Sequence, residues 1–106
     1  MYFRAAFNVY PAEVEAVLGR HPKVAQAAVV GVPDDLLGQK GWAFVVPADP
    51  ADPPTLEELR AFVGQELASY KRPDGLTVVP DLPMNAMYKV DKRRLREQWE
   101  AAHGAR

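Results

Sequence analysis

The sequence predicts an α+β fold, in which a small mixed β-sheet is covered by helices. Its 106 residues, about half of them apolar, are enough for one domain with one modest core. Apolar residues recur at helical spacing in three segments, and the short apolar runs between these segments are typical of strands. The predicted elements follow the order α, β, β, α, β, α, without an internal repeat. We therefore expect residues 1–106 to form a single domain.

The first half of the chain should contain one helix and two strands. The helix is predicted at residues 11–19, because Pro11 suits the start of a helix and Gly19 suits its end. The next run, residues 24–32, is almost wholly apolar and predicts a buried strand. A second strand is predicted at residues 42–46. The stretch between the two strands should be a loop that is longer than a tight hairpin.

A proline-rich segment separates the second strand from the second helix. Residues 47–54 contain four prolines, which disfavour both a helix and a paired strand and so predict a surface loop. Thr55 and Glu58 stand at the spacing of a capping box, in which two side chains satisfy free backbone N–H groups. The second helix should therefore begin at Thr55, and its apolar stripe predicts an end near Tyr70.

The last third of the chain should contain one strand and one helix. Residues 76–79 are typical of a short strand, and a stiff turn between two prolines then leads into a loop that includes Lys89. Asp91 can cap the final helix. Leu95 and Trp99 lie four residues apart, so they should share the buried face of that helix.

Composition excludes several classes of protein. The 13 basic and 14 acidic side chains give a net charge of −1, so no overall attraction to nucleic acid is expected. The absence of cysteine excludes disulfides and thiolate metal sites. No apolar run approaches the roughly 20 residues that span a bilayer, and the first residues lack the apolar stretch of a signal peptide. We therefore expect a soluble cytoplasmic protein without a membrane span.

Spacing alone reveals no catalytic constellation. The chain has no Ser/His/Asp order, no metal-ligand spacing and no Gly-rich loop that could hold a phosphate. Its two histidines are far apart in sequence. We expect a capping or surface role for His21, a frayed tail around His103, and no metal bound by this chain.

A basic cluster near the C-terminus allows two interpretations. Five cations occur within eight residues: Lys89, Lys92, Arg93, Arg94 and Arg96. They could form a solvated helix face or a site for an anion such as a phosphate or a nucleic acid. Lys89 differs from the others, because it precedes the helix cap and lies on a loop next to a rigid turn, where functional side chains are common. A standalone module that binds nucleic acid or protein is the alternative, and the net charge and the lack of interleaved aromatic residues count against nucleic acid.

Four segments of the chain carry a family resemblance. In order along the chain they are residues 8–15, residues 21–24 with 28–34, residues 70–73, and residues 82–89 followed by Arg94, Leu95 and Arg96. Together they cover nearly the whole chain, and they resemble the C-terminal domain of acyl-CoA synthetases, which belong to the AMP-binding, adenylate-forming enzymes. The resemblance identifies the chain as the C-terminal lid of such an enzyme.

The resemblance implies a two-step reaction. A carboxylic acid reacts with ATP and Mg²⁺ to give an acyl-adenylate and pyrophosphate, and coenzyme A then accepts the acyl group as a thioester. Lys89 matches the lysine that would reach the α-phosphate and the attacking carboxylate in the first step. The resemblance also implies a group of residues that would bind coenzyme A, either by lining the pantetheine tunnel or by contacting its nucleotide: Ala5, Ala6, Phe7, Tyr70 and Arg72. For Tyr70 and Arg72, closure of a helix C-terminus by cationic residues is the alternative.

This sequence departs from the family pattern at two places. Ala5 and Ala6 stand where the family has two glycines, and Tyr88 replaces the common glycine before the lysine. The alanines make thioester formation less certain than adenylation. The ATP-binding loop and the acyl pocket would lie on a large N-terminal domain, so we expect the 106 residues alone to be inactive. An adenylation domain that loads a carrier protein remains an alternative, and the acid substrate is not indicated.

Overall fold

The computed structural model describes residues 1–104, which form five strands and three α-helices. In chain order these are β1 (Tyr2–Arg4), β2 (Phe7–Val9), α1 (Pro11–Leu18), β3 (Val24–Asp34), β4 (Gly38–Pro47), α2 (Leu56–Gly64), β5 (Gly75–Val78) and α3 (Lys92–Trp99). A 3₁₀ turn at Ser69–Lys71 precedes β5, and a π-helical turn at Glu100–Gly104 extends α3. None of the helices in this described part is long and apolar enough to cross a membrane.

Strand β4 is the centre of the sheet. It pairs with β3 in antiparallel fashion along one edge. Along its other edge it pairs with β5 in parallel and, at Gly38, with β1. Strand β2 completes the sheet by pairing with β1. The predicted mixed sheet is thus confirmed, with one addition. The sequence did not predict β1 and β2, because three residues are too few to show the alternation by which a strand is predicted.

The loop between β3 and β4 is shorter than the sequence predicted. Asp34 pairs with Gly38, so only three residues connect the two strands. Gly38 has φ = 81°, a backbone conformation that glycine adopts without strain. The Asp34 carboxylate accepts hydrogen bonds from the backbone N–H groups of Leu36 and Leu37. These bonds, the one from Leu37 above all, hold the pKa of Asp34 below its usual value. The prediction of a long loop was therefore wrong: a side chain and a glycine close a tight hairpin.

Two hydrophobic cores lie on opposite faces of the sheet. The first is formed by α1, α2 and the β1–β2 hairpin, and its largest fully buried side chains include Tyr2, Leu18 and Leu59. The second is formed by α3 and the other face of β3 and β4, and it contains Phe44 and Leu95. This arrangement is the sheet covered by helices that the sequence predicts, with apolar stripes of the helices facing inward.

Helix α2 starts as predicted and ends earlier than predicted. Thr55 Oγ1 accepts a hydrogen bond from the N–H of Glu58, and the Glu58 carboxylate accepts one from the N–H of Thr55, so the capping box is present. The helix ends at Gly64, and the predicted end near Tyr70 was wrong. Two turn residues follow, and Ala68 has ψ = 151°, which is incompatible with a helix. Tyr70 lies instead in the separate 3₁₀ turn.

Helix α3 follows the prediction closely. The Asp91 side chain accepts a hydrogen bond from the N–H of Arg94 and caps the helix. Leu95 and Trp99 are the buried residues of the helix. Helices α1 and α3 are connected around the outer edge of β3 by Glu15. Its carboxylate accepts from the N–H of Val29 at 2.8 Å and pairs with Lys92 Nζ at 2.7 Å. Glu15 therefore satisfies an edge-strand N–H that would otherwise be open.

Candidate functional site

Lys89 lies at the end of a closed hairpin. Met84 and Val90 form an isolated antiparallel bridge at its base. The N–H of Asn85 donates to the carbonyl of Lys89 at 2.8 Å, and the N–H of Tyr88 donates to the carbonyl of Asn85 at 3.0 Å. Tyr88 has φ = 59°. This pattern is that of a three-residue hairpin loop, a turn followed by a residue in the left-handed region. Tyr88 thus occupies a position that favours glycine, the residue that the resemblance leads one to expect there.

The cations of the basic cluster are not equivalent. Lys92 pairs with Glu15 at 2.7 Å, and Arg93 pairs with Glu97 at 3.6 Å. Lys89 is exposed and forms no salt bridge with any residue between 1 and 104. Its ammonium therefore remains available to an external anion, while its backbone is fixed by the hairpin. The sequence could not show this difference, because Glu15 is remote from the cluster along the chain.

Ala5 and Ala6 form the turn between β1 and β2. Arg4 pairs with Phe7 across the two strands, so the turn has two central residues. Ala5 has φ = 55° and Ala6 does not have a positive φ, the pattern of a type II′ turn, in which glycine is favoured at the first position. The N–H of Ala5 donates to the carbonyl of Leu37 at 2.8 Å. This bond attaches the turn to the loop between β3 and β4.

An ion pair fixes the same turn to the segment that directly precedes β5. Arg4 donates to both carboxylate oxygens of Asp74, with distances of 2.9 to 3.2 Å. Asp74 also accepts from the N–H of Gly41 at 3.0 Å. Both side chains are largely buried, and such bidentate pairs have a well-defined geometry. Arg4 and Asp74 therefore hold the turn in place, a role that sequence reasoning missed because 70 positions separate them.

Phe7 and Tyr70 form an aromatic stack at the end of the β1–β2 hairpin. Their ring centroids are 4.3 Å apart and their planes differ by 20°. Lys71 Nζ lies 5.7 Å from the centroid of the Tyr70 ring and pairs with Glu13 at 2.6 Å. The hydrogen bond to Glu13 raises the pKa of Lys71. Half of the Phe7 surface is exposed, so the stack presents an open aromatic face.

Arg72 is bound to its own turn. Its Nε donates to the carbonyl of Ser69 at 3.1 Å, so the guanidinium contributes to closing the 3₁₀ turn. This contact is of the kind expected if cationic residues close the C-terminus of a helix. It lies on the chain beside Tyr70, and the remaining guanidinium nitrogens are not used in hydrogen bonds within the described residues. A phosphate could still pair with them.

The candidate residues separate into two groups on different faces of the sheet. Tyr70, against which Phe7 stacks, packs on the core formed by α1 and α2. Val90, the neighbour of Lys89, packs on the core formed by α3. One group therefore contains Ala5, Ala6, Phe7, Tyr70 and Arg72. Lys89 is remote from this group.

The two histidines have structural surroundings. His21 Nδ1 accepts from the N–H of Lys23 at 3.1 Å, and its ring packs edge-on against Phe62, so this side chain closes the turn between α1 and β3 and does not cap a helix end. The sequence predicted a frayed tail around His103, and this prediction was wrong. Its ring stacks on Trp99, with centroids 5.1 Å apart, and also contacts Trp42. These aromatic contacts explain why the helical turn continues past Trp99. Within the described residues, no group of three or more His, Cys, Asp or Glu side chains could hold a metal ion.

Comparisons with known proteins agree on one family. A family model described as AMP-binding enzyme C-terminal domain matches residues 13–89. A 3-[(3aS,4S,7aS)-7a-methyl-1,5-dioxo-octahydro-1H-inden-4-yl]propanoyl:CoA ligase of Mycobacterium tuberculosis is 50% identical over 97 residues, which are 92% of this chain and 19% of the relative. The fatty acid–[acyl-carrier-protein] ligase ScoC of Streptomyces coeruleorubidus is 43% identical over 95 residues, 90% of this chain and 18% of the relative.

A solved structure shows the same fold. ATP-bound MatB from Rhodopseudomonas palustris superposes with a TM-score of 0.88 and 33% identity, over 97% of this chain and 20% of that one. The chain therefore spans about a fifth of the length of the relatives that it matches.

Proposed function

Since this chain belongs to the family of AMP-binding enzyme C-terminal domains and is homologous to acyl-CoA ligases, we propose that residues 1–106 are the lid of an ATP-dependent acyl-CoA ligase. The whole enzyme activates a carboxylic acid as an acyl-adenylate and transfers the acyl group to coenzyme A. Its ATP loop and acyl pocket lie on a large N-terminal domain, which is the main partner of this chain. Its co-substrates are ATP and coenzyme A, which suit a cytoplasmic enzyme.

Lys89 carries this proposal. In the first step a carboxylate oxygen attacks the α-phosphorus of ATP, a new P–O bond forms, and the bond to the leaving pyrophosphate breaks. Negative charge on the phosphoryl oxygens must be stabilised during this displacement. Mg²⁺, which accompanies ATP, supplies part of the compensating charge. Lys89 is suited to supply the rest, because its ammonium is exposed and unpaired among residues 1–104 while the hairpin fixes its backbone.

The second group of residues suits the second step. There the thiol of the acceptor loses its proton to solvent and attacks the acyl carbonyl, and AMP leaves with the electron pair of the broken C–O bond. The Ala5–Ala6 turn is small, and it is held by Arg4 and by the carbonyl of Leu37, so a narrow pantetheine chain could pass it. The Phe7–Tyr70 stack offers a face for the adenine of coenzyme A.

We propose that the lid turns between the two steps, which is supported by the packing of Lys89's neighbour and of the second group against different faces of the sheet. Large apolar side chains are exposed along the β1–β2 hairpin and in the loop between β3 and β4, and a docked large domain would cover them. Phe3, Phe7 and Tyr10 are each about half exposed, and Leu36 is 95% exposed. Such an apolar surface is typical of an interface.

A carrier protein is the second candidate for the acceptor. One observation favours it: Phe7 already covers a face of Tyr70, and Lys71 lies near the same ring. ScoC, a relative of similar identity, is by its name a ligase for an acyl-carrier protein. A standalone nucleic-acid module is disfavoured, because Lys92 and Arg93 of the basic cluster are paired with carboxylates.

The test compares three forms of the protein with a panel of carboxylic acids. The full-length enzyme, which contains the large N-terminal domain and this lid, should support ATP–pyrophosphate exchange with at least one acid and should then form a thioester with coenzyme A or with a carrier protein. The large domain alone, without the lid of residues 1–106, should lose most of both activities. The 106-residue chain alone should show no exchange. Exchange by the isolated chain, or full activity without it, would contradict the proposal.

A further inference from the structure

We infer that Asn85 is a positioning residue that determines where the Lys89 amine is presented; this inference rests on the role proposed for Lys89. Asn85 was not among the residues that the sequence singled out. It begins the hairpin that ends at Lys89 and contributes both its backbone and its side chain to that hairpin.

The side chain of Asn85 binds two N–H groups of the loop. Its Oδ1 accepts from the N–H of Met87 at 2.8 Å and from the N–H of Lys89 at 3.2 Å. The backbone of Asn85 adds a bond from its own N–H to the carbonyl of Lys89. Both backbone polar groups of Lys89 are therefore bound to the same residue. The direction in which the Lys89 side chain leaves the loop follows from these bonds.

The loop needs this support because it holds a strained residue. Tyr88 has φ = 59° and precedes Lys89 directly. A residue with a Cβ is disfavoured in the left-handed region, so a free loop with this sequence would tend to relax away from that conformation. The tyrosine ring is 87% exposed and therefore adds little packing that could retain it. The two bonds to Asn85 Oδ1 flank Tyr88 in sequence, at Met87 and at Lys89, and oppose the relaxation.

Removal of the Asn85 amide should displace Lys89 without unfolding the domain. Asn85 is exposed, and the base of the hairpin is held independently by the Met84–Val90 bridge and by the bond from the N–H of Asp91 to the carbonyl of Pro83. A displacement of the order of 1 Å at a reacting group can lower a rate by about a hundredfold. Asn85 touches no substrate in this account; it acts through Lys89.

The test uses the full-length enzyme and measures kcat and KM of adenylate formation, together with thioester formation from a pre-formed acyl-adenylate. Asn85→Ala should lower kcat of adenylate formation by about ten- to a hundredfold and leave the KM for ATP within about twofold. Asn85→Asp, which keeps an acceptor oxygen at the same place, should recover most of the rate. In a Lys89→Ala background, the further change Asn85→Ala should lower the rate by less than about twofold, because the group that it positions is absent. Thioester formation and the melting temperature should change little.

The outcomes of these comparisons distinguish a failure of this inference from a failure of the proposed function. If Lys89→Ala slows adenylation and Asn85→Ala does not, Lys89 keeps its role and Asn85 has none. If Asn85→Ala is equally damaging with and without Lys89, or slows both half-reactions alike, its effect is general and the inference is wrong. If Lys89→Ala leaves adenylation unchanged, the proposed function itself fails.

Discussion

Replacement of Ala5 by glycine should stabilise the fold, whereas the same replacement at the neighbouring Ala6 should destabilise it. Ala5 has φ = 55°, and a residue with a Cβ costs roughly 1–2 kcal/mol in the left-handed region. Glycine removes that strain, although its greater freedom in the unfolded chain costs about 0.5–1 kcal/mol. The net gain at Ala5 should be about 0.5–1 kcal/mol. Ala6 has no strain of this kind, so Ala6→Gly should show only the loss of about 0.5–1 kcal/mol.

Thermal and denaturant unfolding of the 106-residue chain measure this difference. A cooperative transition is itself expected, because the two cores are largely complete within residues 1–104. The two variants should differ by about 1–2 kcal/mol, which at this chain length corresponds to a separation in Tm of roughly 4 °C or more. Tyr88→Gly should also stabilise, since Tyr88 has φ = 59° and its side chain is mostly in solvent. Equal shifts for Ala5→Gly and Ala6→Gly, or a loss of stability at Ala5, would refute the reasoning.

Three further changes have defined outcomes. In the full-length enzyme, glycine at both Ala5 and Ala6 should speed thioester formation more than adenylate formation, as measured by separate half-reaction assays, because we propose that this turn faces the acceptor. Tyr2→Phe should stabilise the fold by about 1 kcal/mol at neutral pH, since the buried Tyr2 hydroxyl has no hydrogen-bond partner among the described residues. Burial raises the pKa of Tyr2 to about 12, so the wild type should lose about 2 kcal/mol between pH 10 and 12, and denaturant titrations should show a smaller loss for the variant. Thr55→Ala should cost about 1 kcal/mol in the same titrations, because it removes the acceptor for the N–H of Glu58.

The helices could be predicted because their signals are local. Pro11, the Thr55–Glu58 capping box and the Asp91 cap each lie within one turn of the helix that they start, and all three act in the structure as expected. The end of α2 was predicted less accurately than its start. Its apolar stripe continues in sequence after Gly64, but Leu67 reaches the core from a turn rather than from a helix.

The contacts that fix the candidate site could not be predicted, because they join distant parts of the chain. Arg4 and Asp74 are 70 positions apart. Glu15 can pair with Lys92, and so distinguish it from Lys89, only after α1 and α3 have each packed on the sheet. The docking of β1 has the same character. Tyr2 lies across the paired glycines Gly31 and Gly41, and a Cβ at either glycine would overlap its side chain.

The two departures from the family pattern illustrate what a resemblance adds. The motif comparison singled out the Ala5–Ala6 turn and Tyr88 as places where glycine is usual. The structure gives Ala5 and Tyr88 the two positive φ angles found outside glycine in the described chain. A sequence motif thus located strained backbone that composition and periodicity do not reveal. Asn85 is the converse case: its position at the start of a turn is a usable signal in the sequence, because asparagine is favoured there.

The most direct test of the account compares Lys89→Ala with Arg93→Ala in the full-length enzyme, with each half-reaction measured separately. Arg93 is the matched control, because it is a nearby cation whose partner Glu97 lies on the same exposed helix face, whereas loss of Lys92 would also break its bond to Glu15. Lys89→Ala should slow adenylate formation by about 10² to 10³, the scale of losing one well-placed charge-stabilising group, and should leave thioester formation from a pre-formed acyl-adenylate nearly intact. Arg93→Ala should change neither rate by more than about twofold. Equal effects of the two substitutions, or equal losses in both half-reactions, would contradict the assignment of Lys89.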